Sequence, residues 1–242
     1  MKSILIFRHI ACEGPGYLGD YLTSRDIPFN TIRVDKGEDV PEDPTAYSGL
    51  VFMGGPMSVN EPVPWIEKEL KLICKAYQEN MPILGHCLGG QLISKALGGE
   101  ITSNHVTEMG WYPVRGVENS CSDDWLKGLP EQFEVFHWHG ETFSLPDDAI
   151  PLLQSEFCKN QAFVIGNSLA LQCHVEMKIN MIQVWLEFYQ NEMPKPSSSV
   201  QSREQMLENL HIKNTKFKDD CRCALYEMAG RPGSMKNSVV WV

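Results

Sequence analysis

The stretch Met81-Pro-Ile-Leu-Gly-His-Cys-Leu-Gly-Gly-Gln91 constrains this chain more than any other. Pro82 to Leu84 is a short apolar run that reads as a buried strand, and Leu88 to Leu97 reads as a helix. One cysteine, Cys87, stands at the tight turn between them, flanked by Gly85 and Gly89. A strand, a sharp turn and a helix with a nucleophilic side chain at the turn make a nucleophile elbow, which belongs at the carboxyl end of a sheet strand. The turn also sets Cys87 at a helix N-terminus, where unsatisfied N–H groups favour an anion.

The flanking pattern fits such a sheet. Ser3 to Phe7, Phe29 to Val34 and Gly49 to Met53 are near-continuous apolar runs, and Tyr17 to Ser24 and Pro64 to Asn80 have helical spacing. Apolar strands alternating with helices predict parallel pairing with both sheet faces covered. After Glu100 helices become scarce. Glu108 to Glu118, Phe133 to His137, Ile150 to Gln154, Ala162 to Ile165 and Ala170 to His174 read as an antiparallel extension whose last strand returns to the elbow. Asn180 to Tyr189 is a further helix. The expected fold is α/β: a three-layer, flavodoxin-like sandwich around a central mixed, mostly parallel sheet, spanning residues 1–192. Residues 193–242 are expected to form a helical extension packed on the same domain. Its loop, Met193 to Ser199, leads to a capping-box signal at Ser202 and Gln205, and helix is expected to about Ala229.

Charge and length narrow the function classes. The net charge of -10, from 31 acidic and 21 basic residues, argues against nucleic acid or an anionic membrane as a main partner. The apolar run near the N-terminus is only Ile4 to Phe7, too short for a signal peptide, and no run reaches membrane-spanning length. The eight cysteines are irregularly spaced, which fits free thiols and a cytoplasmic location better than a disulfide framework.

A catalytic cysteine needs a base and a group to orient that base. His174 is the candidate base, in Leu171-Gln-Cys-His-Val-Glu176. Residues two apart on an extended chain face the same side, so Glu176 can fix the imidazole tautomer. The oxyanion formed on attack at an amide needs N–H donors. Leu88, just after Cys87, supplies one, and the Gly54-Gly55 turn, with Gly55 as donor, supplies a second. His86 is expected on the other side of its strand, packing only. His137 and His139 could reach one metal, but with no further ligand in view no metal is expected.

Three motifs in order, Gly54-Gly-Pro56, Gly85-His-Cys-Leu-Gly-Gly-Gln91 and Gln172-Cys-His-Val-Glu176, resemble the class I glutamine amidotransferases over about residues 1–190. The likeness is greatest to stand-alone proteins similar to the amidotransferase domain of GMP synthetase. The resemblance implies glutamine or a γ-glutamyl compound as substrate, no cofactor, and Gln91 as a substrate contact. It implies that Trp138-His-Gly-Glu141 is the loop whose acid, Glu141, binds the substrate ammonium, with Trp138 and His139 beside it. Glu108-Met-Gly-Trp111 is similar to a stretch flanking the family's site, so Trp111 is expected to help form the substrate wall. Two departures stand out: the family's His-Pro-Glu is His174-Val-Glu176, and Glu141 replaces an aspartate. No Walker glycine loop or Ser-Gly-Gly nucleotide loop is present, so ammonia transfer would need a separate synthetase. The expected activity is glutamine amidohydrolysis. The alternatives are cleavage of γ-glutamyl conjugates, or a regulatory role in which the chain works only with a partner. A homodimer is a further candidate assembly.

Overall fold

The computed structural model describes residues 2–118, 125–126, 128–208 and 210–211. The first half alternates β1 (Ile4–Arg8), α1 (Gly16–Ser24), β2 (Phe29–Arg33), β3 (Gly49–Phe52), α2 (Pro64–Gln78), β4 (Ile83–His86) and α3 (Leu88–Ala96). The second runs β5 (Ile101–Gly116), β6 (Gln132–Phe143), β7 (Ile150–Gln154), β8 (Ala162–Ile165) and β9 (Ser168–Leu171), followed by α4 (Ile179–Phe188) and the short α5 (Arg203–Leu207). The strands form one mixed sheet in the order β2-β1-β3-β4-β9-β8-β7-β5-β6. Pairing is parallel from β2 to β9 and antiparallel from β9 to β6. The last strand of the extension does return to the elbow strand: Ile83 to His86 of β4 lie beside Ser168 to Leu171 of β9.

Strands β1, β3 and β8 are apolar almost throughout because both faces are covered. Along β1, Ile4 and Ile6 enter the core under α1, while Leu5 and Phe7 enter the one under α2 and α3. Phe7 and Phe52 stack at 4.7 Å across the β1–β3 pair. A third cluster joins Ile182, Trp185 and Leu186 of α4 to Met109, Trp111 and Phe136 of the β5–β6 hairpin. Fully burying a side chain such as Ile182 or Leu186 contributes roughly 1.5–3 kcal/mol, which holds α4 beside the sheet.

Strands β5 and β6 are longer than their apolar runs indicate. Apart from Val106, residues 102–107 are polar, and all of them lie outside the core; the register shifts between Ser103 and Glu108. Trp138 to Glu141, expected as a loop, lies inside β6. Ser202 and Gln205 form the expected capping box at the start of α5. Just before it, Ser199 and Gln201 exchange backbone hydrogen bonds with Met109 of β5. The rest of the helix expected to about Ala229 lies outside the described residues. Among those described, no helix is long and apolar enough to cross a membrane.

Candidate active site

Cys87 stands where β4 turns into α3, with φ 50° and ψ -107°. A non-glycine residue in this region costs about 1–3 kcal/mol and persists only where its surroundings fix it. Its N–H donates to Leu171 O of β9 at 2.8 Å. A Cβ at Gly89 would collide with Phe52 O, and one at Gly90 with Leu171 O, so glycines let α3 seat directly on the ends of β3 and β9. A short amide relay meets the sulfur. Gln91 Nε2 donates to Gln172 Oε1 at 3.2 Å, and Gln172 Nε2 donates to Cys87 Sγ at 3.6 Å.

His174 follows β9 and is anchored through its N–H to Phe136 O at 2.8 Å. His174 Nδ1 lies 2.7 Å from Glu176 Oε1, with both side chains buried, so the two residues do share one face. Burial lowers the His174 pKa, but Glu176 and the nearby Cys87 outweigh it and hold the ring well above its ordinary value. Burial likewise lifts Glu176, yet the imidazole and His86 bring it down to about 2. His174 Nε2 makes no hydrogen bond among the described residues. His86 is fully buried, as its packing role requires, with Nε2 3.8 Å from Glu176 Oε2 and burial holding its pKa below the ordinary value.

The Gly54-Gly55 turn leaves β3 beside this pair. A Cβ on Gly54 would collide with Glu13 Oε2 and stand 3.2 Å from His174 Cε1, while one on Gly55 would stand 2.9 Å from Leu88 Cδ2. The two expected oxyanion donors are therefore neighbours. Leu88 is the first residue of α3, where the N–H has no acceptor within the helix. His9, stacked on Trp65, approaches Gly54 O through Nδ1 and Glu69 through Nε2, both at 3.1 Å.

A cavity of about 430 Å³ opens over Cys87. Gly55, Gln91, Trp138, His139, Glu141 and His174 line it, whereas Glu176 and Leu88 do not. Glu141 Oε1 accepts from Ser58 Oγ at 2.9 Å. His139 has both ring nitrogens engaged, with Glu141 O and Glu108 Oε2 at 3.0 Å each, so its ring positions the Glu141 backbone. Trp111 is not part of the wall; it is buried in the third core, with Nε1 donating to Met206 O. Glu108 adds the third group that the His137–His139 pair lacked in sequence. Ligand atoms of these three lie within 4.8 Å of one another and could hold an ion. Glu108 Oε2 already accepts from Gln161 Nε2 at 2.6 Å.

Glu13, His9 and Gln172 were not foreseen as site residues. Glu13 lines the cavity and is 6% exposed; burial, with Glu176 adding and His174 and His9 opposing, raises its carboxyl to about 7. The available signal was topological: Glu13 and His9 follow β1 as Gly54 follows β3, at the carboxyl ends of neighbouring parallel strands where α/β sites form.

Comparison with known proteins places this geometry. The family model for glutamine amidotransferase class-I matches residues 17–183. The Salmonella typhimurium glutamine amidotransferase-like protein YfeJ is 29% identical over 191 residues, 76% of this chain and 80% of that one. A glutamine-hydrolyzing GMP synthase subunit from Sulfolobus acidocaldarius is 33% identical over 177 residues, 71% and 85% of the two chains. The crystal structure of a glutamine amido transferase from Methylobacillus flagellatus is 34% identical, with a TM-score of 0.88 over 99% of this chain and 100% of that one. With the elbow, the glycine turn and the histidine–glutamate pair on one cavity, and a family match over most of its length, the chain belongs to the class I glutamine amidotransferases.

Proposed function

We propose that the protein hydrolyses the side-chain amide of glutamine through a thioester on Cys87. One observation carries the reading: His174 has a carboxylate 2.7 Å from Nδ1 and, among the described residues, no hydrogen bond at Nε2, beside a cysteine on a strained elbow. His174 takes the thiol proton, and Sγ attacks the amide carbon. The Gly55 and Leu88 N–H groups receive the oxyanion. The C–N bond breaks as His174 returns its proton to the departing nitrogen, leaving a γ-glutamyl thioester. His174 then draws a proton from water, the S–C bond breaks, and glutamate leaves. Gln91 and Glu141 hold the amino-acid part of the substrate, with Trp138 and His139 completing that wall. No step calls on a cofactor. The likeness to a glutamine-hydrolyzing GMP synthase subunit supports delivery of the ammonia to a separate synthetase.

A second reading has its own support. The cavity continues past His174 to Tyr189 and Glu192, a space that departing ammonia does not need. The same steps would then cleave a γ-glutamyl amide of a larger amine. The test is turnover of glutamine and γ-glutamyl amides by wild type and Cys87→Ala. Wild type is expected to release glutamate, and the variant to lose at least about 10³-fold in rate, as loss of a nucleophile does. Retained turnover in Cys87→Ala would overturn the mechanism. Activity only after addition of a synthetase would make the chain a regulated component of a larger enzyme.

A further inference from the structure

We infer that the leaving-group side of the cavity selects a cationic amine, so that the enzyme cleaves γ-glutamyl amides of diamines or polyamines. This rests on amide hydrolysis at Cys87, as proposed above. His174 must protonate the departing nitrogen, so the leaving group occupies the His174 side. That side is formed by Glu13, Trp185, Tyr189 and Glu192. Trp185 meets the His174 ring edge-to-face at 5.0 Å.

Glu13 is the informative member. It is 6% exposed, and its one side-chain hydrogen bond among the described residues comes from Tyr189 O–H at 3.4 Å. Among the described residues no lysine or arginine lines the cavity, and its four carboxyl side chains are Glu13, Glu61, Glu141 and Glu192. Buried carboxylates are normally paired or remain protonated. Burial raises Glu13 to about 7 even though His174 and His9 draw it down, so a further cation beside it would favour its carboxylate form. An ammonium on the far end of a leaving amine would supply one. The rings of Trp185 and Tyr189 give that side an aromatic wall for the alkyl chain of the amine. Exposed Glu192 stands at the outer end, where a longer polyamine would place its next charge. An anionic leaving group, such as a dipeptide with a free carboxylate, would meet two carboxylates and no lysine or arginine. Each amide consumes one water: the γ-glutamyl carbon passes from nitrogen to Sγ to oxygen, and the amine departs with the proton carried by His174.

The experiment compares kcat/KM of the full chain for the γ-glutamyl amides of putrescine, n-butylamine and γ-aminobutyrate, with glutamine alongside. The cationic amide should exceed the neutral one by about tenfold or more, the equivalent of about 1.4 kcal/mol, and the anionic amide should be poorest. Glu13→Gln should bring the cationic-to-neutral ratio towards one. Glu192→Gln, at an exposed position, gives a second reading if the first variant fails to fold. Binding of the same amides to Cys87→Ala separates recognition from chemistry. Equal handling of cationic and neutral amides, or a ratio unchanged in both glutamine variants, overturns the inference while leaving amide hydrolysis intact. A uniform loss in Glu13→Gln for all substrates, glutamine included, would assign Glu13 to His174 and also overturn it. If wild type releases glutamate from none of the substrates, both readings fall.

Discussion

His9 holds the Gly54-Gly55 peptide from behind. In a trans peptide the C=O and the following N–H point in opposite directions. With Gly54 O drawn towards His9 Nδ1, the Gly55 N–H of the same peptide points away from that contact, and Gly55 lines the cavity. Burial pulls His9 down and lifts Glu69, yet the glutamate holds His9 above its ordinary range, so the pair retains a proton to donate. Removing one partner strands the other: His9→Phe should destabilise the fold by about 3–5 kcal/mol. Replacing both, with His9→Phe and Glu69→Leu, should fold near wild-type stability. That double variant should still lose about tenfold to a hundredfold in kcat with little change in KM, because one oxyanion donor is no longer aimed. Urea midpoints and steady-state kinetics on glutamine check both halves, and an unchanged kcat in the double variant would refute the positioning role. Cys87, His174 and Glu176 were legible in sequence because each sits in a short motif of fixed local geometry. His9, Glu13 and Gln172 were not, because the contacts that give them roles are made by parallel pairing of distant segments, and each residue alone resembles an ordinary core or loop position.

Helix α3 depends on how closely its first turn approaches the sheet. Gly89→Ala would place a Cβ against Phe52 O, which is backbone and cannot rotate away, so the helix must lift. The expected cost is about 1–3 kcal/mol, as for other overpacked sites. Activity should fall further than stability explains, because Cys87 and Leu88 move with the turn. Gly14→Ala, where no atom lies within 4 Å of the added carbon, should stay within about 0.5 kcal/mol and serves as the control. Urea unfolding and glutaminase rate on both variants settle the point; an active, stable Gly89→Ala would show that the close seat is dispensable. The elbow elements were legible since an apolar strand, a glycine turn and a helical run are local signals. The β5–β6 hairpin was legible only in part. Residues 102–107 are polar but for Val106 and largely uncovered, and Trp138 to Glu141 carry polar groups that face partners within the site, so neither stretch has the alternation that marks a strand.

Across the whole molecule, two buried titratable groups oppose each other as pH falls. His137 is pulled to about 4 by burial, more than Glu108 can restore, with His139 and His174 adding to the depression. The unfolded chain, with histidine near 6.5, therefore binds more protons between about pH 6.5 and 4. His137 stabilises the fold above that window, and about 3 kcal/mol is lost as pH falls through it. Glu13 has the reverse sign. Burial raises it to about 7, with Glu176 adding and His174, His9 and Tyr189 opposing, so the folded state binds the extra proton between about pH 7 and 4.5. Acidification through that range restores about 3 kcal/mol. These two contributions nearly cancel each other in the wild type. Substitution uncovers each slope. Relative to wild type, Glu13→Gln should lose about 3 kcal/mol of stability between about pH 8 and 4.5, and His137→Phe should gain a similar amount over the same interval. Urea midpoints at the two pH values measure the differences, in which every group shared with wild type drops out. Parallel shifts of the same sign in both variants would refute the opposition, since a carboxyl poised near 7 and a histidine held neutral by burial cannot titrate in the same sense.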